Sequence, residues 1–191
     1  MPALVLATAA VCGLLLAWPG QTVTTKYVND LFIFLDGAHR ILMDQAPNRD
    51  FHTALGPLAF FLPAAGYWLS GSLGGAMPVG MALVVLGLAP AAARIVGSRL
   101  RPAIALPVAA YLLLVAAVPA NLGEGIGALS FAMFYNRIGW AALGFLLILY
   151  LPPRLVYLAE DYRKPLAWLT ILLALFALAY RTFFPARTFG W

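Results

Sequence analysis

One interval of the chain, residues 21–56, concentrates the side chains able to do acid–base or ionic chemistry. It reads QTVTTKYVNDLFIFLDGAHRILMDQAPNRDFHTALG and holds four of the seven acidic residues, Asp30, Asp36, Asp44 and Asp50. Both histidines, His39 and His52, and the bases Lys26, Arg40 and Arg49 lie in it as well. Asp30 stands near the start of a helical pattern. A carboxylate held at an apolar–aqueous boundary and partly desolvated can take a proton as a general base; a solvated Asp on the wet face of a helix has the same sequence signature. Asp36 and Arg40 are four residues apart, as are Arg40 and Asp44, a spacing that brings charges together on a helix. Such a ladder is either a set of surface ion pairs of small energetic value or a mount for Arg40, whose planar fork suits a phosphate. Arg49-Asp50-Phe51-His52-Thr53 sets a guanidinium, a carboxylate, an imidazole and a hydroxyl within one short stretch. That set can hold a phosphate or sugar hydroxyls. It can equally be a polar turn in which Asp50 or Thr53 caps a helix.

Little chemistry is indicated elsewhere. Glu124 lies in Asn-Leu-Gly-Glu-Gly-Ile-Gly, and an acidic residue near membrane depth is a functional candidate. No Lys-Ser/Thr follows those glycines, so they form no phosphate loop. Tyr135-Asn136-Arg137 reads as an interfacial anchor. The two histidines have no metal-ligand spacing. Cys12 is the single cysteine, which excludes a disulfide framework and a thiolate metal site. No serine nucleophile elbow or dinucleotide fingerprint is present.

The elements that must position these residues are apolar. Of 191 residues, 63% are hydrophobic and 10% charged, against about 25% charged in soluble domains. So little charge cannot cover a water-facing surface, and the composition predicts an all-α integral membrane protein. The net charge of +5 suits loops that meet anionic headgroups. The basic residues are scattered, which argues against nucleic acid as a partner. Continuous apolar runs, rather than alternating ones, argue against strand spans. Six spans are predicted: 2–18, 55–73, 76–96, 102–120, 138–151 and 166–180, with 131–134 available to extend the fifth. No Lys or Arg precedes the first, so it reads as an uncleaved span rather than a signal peptide.

Residues 28–45 form a surface helix on this reading. At about 100° per residue, Val28, Leu31, Phe32, Leu35, Ala38 and Leu42 gather on one side, and Asp30, Asp36, Arg40 and Asp44 on the other. That describes a helix lying along a membrane, apolar face down. Pro47 stops it, and Gly56-Pro57 opens the next span, where Pro is tolerated at a helix start. The whole chain is one membrane domain: a first span over 1–20, the polar loop 21–56, five further spans over 57–180 and an interfacial tail over 181–191.

A first span, a loop with an early Asp, an amphipathic helix and then Gln-x-Pro-x-x-Asp-Phe-x-Thr-x-x-Gly-Pro-Leu resembles the N-terminal part of GT-C-type glycosyltransferases. These are multispan enzymes that take sugars from polyprenyl-phosphate carriers. The likeness covers residues 1–100 and rests on Asp30, Gly37, Ala38, Gln45-Ala46-Pro47, Arg49 to Thr53 and Gly56-Pro57-Leu58. It implies a catalytic carboxylate in the first extracytoplasmic loop: Asp30 by position, with Asp36 second. Arg40, Arg49, Asp50 and His52 are then the substrate-binding candidates. It also implies a lipid-linked sugar donor, membrane lipid and membrane protein partners, in a bacterial inner (plasma) membrane. No cofactor is called for, a divalent cation being the one optional addition. The rival reading is a non-catalytic membrane subunit whose polar helix face is covered by a partner; a transporter is disfavoured, because the spans hold almost no ionisable residue.

Charge and likeness disagree about orientation. Six spans put Lys26, Arg40, Arg49, Arg94, Arg99, Arg101, Arg154, Arg163 and Lys164 on one side, and Arg137, Arg181 and Arg187 on the other. The positive-inside rule then assigns the first loop to the cytoplasm, whereas the resemblance implies that it lies outside.

Overall fold

The computed structural model describes residues 1–53, 55–120 and 128–150. Among them the chain forms six α-helices: α1 (Pro2–Ala17), α2 (Val28–Leu42), α3 (Leu58–Ser70), α4 (Leu73–Arg99), α5 (Pro102–Ala117) and α6 (Phe134–Tyr150). Extended pairing among the described residues is limited to two isolated bridges, Pro47 with Phe51 and Ala120 with Leu129. The all-α expectation is met. The predicted sixth span, the charged stretch 152–165, the tail 181–191 and Glu124 lie outside the described residues.

Local chemistry explains the helix limits. α1 and α5 open on Pro2 and Pro102, where a missing N–H would have no intrahelical partner anyway. Gly71, at φ +68°, ends α3 in a left-handed conformation, and Ser72 caps α4 by accepting from the Gly75 amide at 3.1 Å. α1, α3 and α5 contain no charged residue. α4, with 27 residues, is the one described helix long and apolar enough to cross a bilayer. α1, α3, α5 and α6 are apolar but have 13 to 17 residues each.

α4 is the axis of the fold, and its two halves are covered differently. Val85, Leu88, Ala89, Ala92, Ala93, Ile95 and Val96, from its C-terminal half, pack with Val5 and Ala9 of α1, Ala109 and Leu113 of α5 and Phe145 of α6. The many alanines let these backbones approach closely. Met77 and Met81, from the N-terminal half, pack instead with Phe60 of α3, Leu31 and Phe34 of α2 and Phe134 and Ile138 of α6.

The second predicted span is where fold and expectation part. α3 has 13 residues, a length of about 20 Å against about 40 Å for α4 at 1.5 Å per residue. It runs antiparallel to α4 along that helix's first half only. A Cβ on Gly66 would overlap the Ala76 carbonyl and lie 2.6 Å from the Gly80 amide nitrogen, and one on Gly80 would lie 2.8 Å from the Leu62 carbonyl. Backbone therefore meets backbone, and only glycine allows it.

The chain segment that follows α1 meets the same end of α4. The Thr22 hydroxyl donates to the Gly74 carbonyl at 2.7 Å. Pro78 lies four residues beyond Gly74 and has no N–H to offer that carbonyl, so the threonine satisfies an acceptor the helix cannot. The Thr25 amide donates to the Leu129 carbonyl at 2.8 Å, and the Ser130 amide to Pro119 at 2.6 Å. The end of α1, the α3–α4 turn, the end of α5 and the start of α6 thus share one end of the molecule. Met1 packs in the cluster of Ile95 and Val96, with Leu100, at the other end. α2 and α3 are a helical hairpin that leaves and returns to the Leu73 end of α4.

Candidate functional site

α2 carries most of the candidate residues, and its buried face differs from the predicted one. Leu31, Phe34, Gly37 and Ala38 are buried, whereas Phe32 is 62% and Ile33 54% exposed. The reason is what the helix packs on. Phe34 sits at the centre of an aromatic group, 5.1 Å from Phe134, 5.9 Å from Phe60 and 6.1 Å from Tyr135 between ring centroids. Gly37 lies so close to Phe60 that a Cβ there would overlap its ring. α3 and α6, rather than a flat boundary, select the face that turns inward, and Phe32 and Ile33 are left outside.

Asp30 lies in the first turn of α2, where the helix dipole favours a carboxylate. It is half-buried, one turn before Phe34 on the edge of the inward face. Among the described residues it makes no hydrogen bond or ion pair. Asp36 is exposed and accepts from Arg40 Nε at 2.7 Å. The Arg40 guanidinium carbon also sits 5.5 Å from the centre of the Phe51 ring, within cation–π range. Arg40 therefore joins α2 to the 44–53 loop.

The predicted Arg40–Asp44 rung is not formed. α2 ends at Leu42, and Asp44 has φ +60°, which turns it off the helical wheel. The 44–51 loop is instead tied by Asp50. Its carboxylate accepts from the Ala46 amide at 2.7 Å and from Arg49 Nη2 at 2.7 Å. The Arg49 hydrogen bond, with the Ala46 amide behind it, holds the Asp50 carboxyl at about 2, well below its ordinary range. The same bond pushes the Arg49 guanidinium upward. The Asn48 amide donates to the Phe51 carbonyl at 2.9 Å and closes the loop. Thr53 donates to the Leu55 carbonyl and accepts from the Leu55 amide at 2.9 Å. His52 is exposed and makes no hydrogen bond among the described residues. His39 stacks on Tyr67 of α3, with ring centroids 6.2 Å apart.

The structure therefore joins Asp36, Arg40 and Phe51 in one group and Arg49 with Asp50 in another. It does not bring Asp30 to either. Ten residues along α2 separate Asp30 from Arg40, about 15 Å of helix. Among the described residues no three of His, Cys, Asp and Glu gather where they could hold a metal ion.

One charged residue was read from sequence as an interfacial anchor and is something else. Arg137, in the first turn of α6, is 3% exposed. Its Nη1 donates to the Ser130 carbonyl at 3.0 Å. Its Nε and Nη2 are buried and have no hydrogen-bond partner among the described residues. The signal was present in the sequence: Arg137 shares a helix face with Phe134, Ile138 and Ala141, all apolar.

Comparison of the chain with family models, with curated proteins and with solved structures finds no match.

Proposed function

We propose that this chain is a polytopic membrane protein of GT-C type, or the N-terminal portion of one, that transfers a sugar from a lipid-linked phosphate donor at the extracytoplasmic face. Apolar side chains on every outward face support the membrane setting. Leu15 of α1, Trp68 of α3, Tyr111 of α5 and Leu147 of α6 are all exposed, and helices that are apolar all round need a non-aqueous surrounding. α1, α4, α5 and α6 are then the crossing helices among the described residues, and the α2–α3 hairpin belongs to the first loop.

The observation that carries the reading is the distribution of charge between the two ends of α4. Arg94, Arg99 and Arg101 mark the Arg99 end, with no acidic residue among the described residues there. The first loop, whose two ends both lie at the Leu73 end, holds Lys26, Arg40 and Arg49 together with four Asp. With α3 turned back, the arginines of the 94–101 segment no longer fall on the same side as the first loop. Counted over the described residues, Lys and Arg then stand at three (Arg94, Arg99, Arg101) against four (Lys26, Arg40, Arg49, Arg137), so the positive-inside rule no longer draws the first loop into the cytoplasm, and charge ceases to oppose the resemblance.

In this reading Asp30 takes the proton from the acceptor hydroxyl. Arg40 and Arg49 offset the charge that develops on the departing carrier phosphate, with His52 as a further donor from the same loop, Asp36 orienting Arg40 and Asp50 orienting Arg49. The bacterial plasma membrane is the setting this chemistry implies.

Cysteines placed singly at positions 48, 72 and 98 test the arrangement in intact cells. Positions 48 and 72 are expected to label from outside and 98 to stay protected; labelling of 48 together with 98 would dismiss it. Asp30→Asn is expected to abolish transfer with membrane insertion intact, and an active variant removes Asp30 from the mechanism.

A second reading has its own support. The separation of Asp30 from the arginines and the exposed Phe32 and Ile33 on α2 suit a non-catalytic subunit whose hairpin is covered by another membrane chain. Co-purification of a stoichiometric partner that protects position 48 would favour it.

A further inference from the structure

Among the described residues, the first turn of α6 holds an unmet demand for negative charge, and its owner is Arg137. The guanidinium reaches back from the fourth residue of the helix to the Ser130 carbonyl, ahead of the helix's first residue. Nη1 makes that contact. The nitrogens left over, Nε and Nη2, are the parallel pair with which arginine grips a carboxylate or phosphate on two oxygens. Both are buried, and both lack a hydrogen-bond partner among the described residues. Burying a charge without an opposite one is among the costliest arrangements in a protein. The position aggravates it, because a helix N-terminus adds roughly half a positive charge and disfavours a cation in the first turn. Phe134 and Ile138, the buried neighbours of Arg137 in α6, are apolar and compensate nothing.

We propose that Arg137 and the N-terminus of α6 form an oxyanion-binding site that takes a phosphate monoester on the Nε–Nη2 edge. Charge decides between phosphate and carboxylate. One guanidinium and the helix end sum to about +1.5, which a phosphate monoester at about −1.5 to −2 balances and a carboxylate does not. The phosphate comes from the head of a lipid or from solution. This assignment does not rest on the transferase reading: Arg137 is remote in sequence from the α2 candidates, and binding is measured without transfer.

The test is thermal unfolding of the full chain in detergent with farnesyl phosphate, inorganic phosphate or farnesol added. Farnesyl phosphate is expected to raise the midpoint saturably in the native chain and to leave Arg137→Met unmoved. Arg137→Lys keeps the charge but not the fork, and its apparent affinity is expected to fall about tenfold or more. An equal rise with inorganic phosphate assigns the site to phosphate from any source; a rise with farnesyl phosphate alone assigns it to a lipid-borne one. An equal rise with farnesol, or no rise with either phosphate, overturns the proposal. Without ligand, Arg137→Met is expected to unfold no earlier than the native chain, because it removes an uncompensated charge. A lower midpoint would mean that the guanidinium already has its partner within the fold, and would overturn the proposal as well.

Discussion

Gly66→Ala tests the feature on which the orientation of the chain depends, the docking of α3 against the first half of α4. The new methyl group would lie 2.6 Å from the Gly80 nitrogen and 2.9 Å from the Ala76 carbonyl carbon. Ordinary contact begins near 3.4 Å, and the Ala76 carbonyl oxygen is closer still than the Gly80 nitrogen, so the helices must part locally by more than about 0.8 Å, a gap that forfeits at least a quarter to a half of a contact's dispersion energy. Both obstacles are backbone, and neither can rotate away. Overpacking of this kind costs about 1–3 kcal/mol, and the upper end applies here. Alanine's higher helix propensity returns about 1 kcal/mol, which leaves a net loss of about 2 kcal/mol. At about 2–4 °C per kcal/mol for a chain of this size, the thermal midpoint in detergent should fall by about 4–8 °C. Gly87→Ala is the control, because a Cβ there meets nothing within 4 Å. It keeps the propensity gain without the clash and should raise the midpoint by about 2–4 °C. If the two variants behave alike, α3 does not lie on α4 at Gly66, and the hairpin with the orientation argued from it is wrong.

Three further outcomes follow from the loop and its ties. Asp50 should titrate near 2 in a carboxyl-carbon NMR experiment. Because its folded pKa is lowered, its contribution to stability is fully present above the ordinary carboxylate range and is lost as pH falls through about 2, so pH 5–8 should not move it; a midpoint near the ordinary value of about 3.9 would refute the Arg49 and Ala46 contacts. Thr22→Val removes the hydroxyl that serves the Gly74 carbonyl and should cost about 0.5–1.5 kcal/mol in thermal unfolding, whereas Thr22→Ser should not. An unchanged Val variant would mean that solvent already serves that carbonyl. Asp36→Asn breaks an exposed pair, with side chains 42% and 61% exposed for Arg40 and Asp36, and should change stability by no more than about 0.5 kcal/mol. A larger loss would mean that the pair holds the α2–loop junction together.

Much of this protein was legible in the order of its residues. Runs of apolar residues opened by Pro2 and Pro102 and the Gly71-Ser72 break place α1, α4 and α5 within three residues of the predicted limits, because these signals act on the neighbouring backbone alone. The helical period read over 28–45 identified α2 for the same reason, although the helix stops at Leu42. A polar turn was one of the two readings open for Arg49 to Thr53, but the helix cap expected of Asp50 or Thr53 is not made: Asp50 ties its own loop through the Ala46 amide, and α3 has no side-chain cap.

Direction and facing were decided by packing. An apolar helix has the same composition whether it crosses a bilayer or turns back along a neighbour, and it is the reach of α3 along only the first half of α4, with α2 packed on the same half, that favours the second. Phe32 and Phe34 are equally apolar, and only the ring cluster of Phe60, Phe134 and Tyr135 makes Phe34 the buried one. Arg137 reads as a surface anchor until Ser130 is folded against it. Each of these outcomes depends on atoms brought together from distant parts of the chain, and a hydrophobic pattern records how much surface a segment must bury, not which partner will cover it.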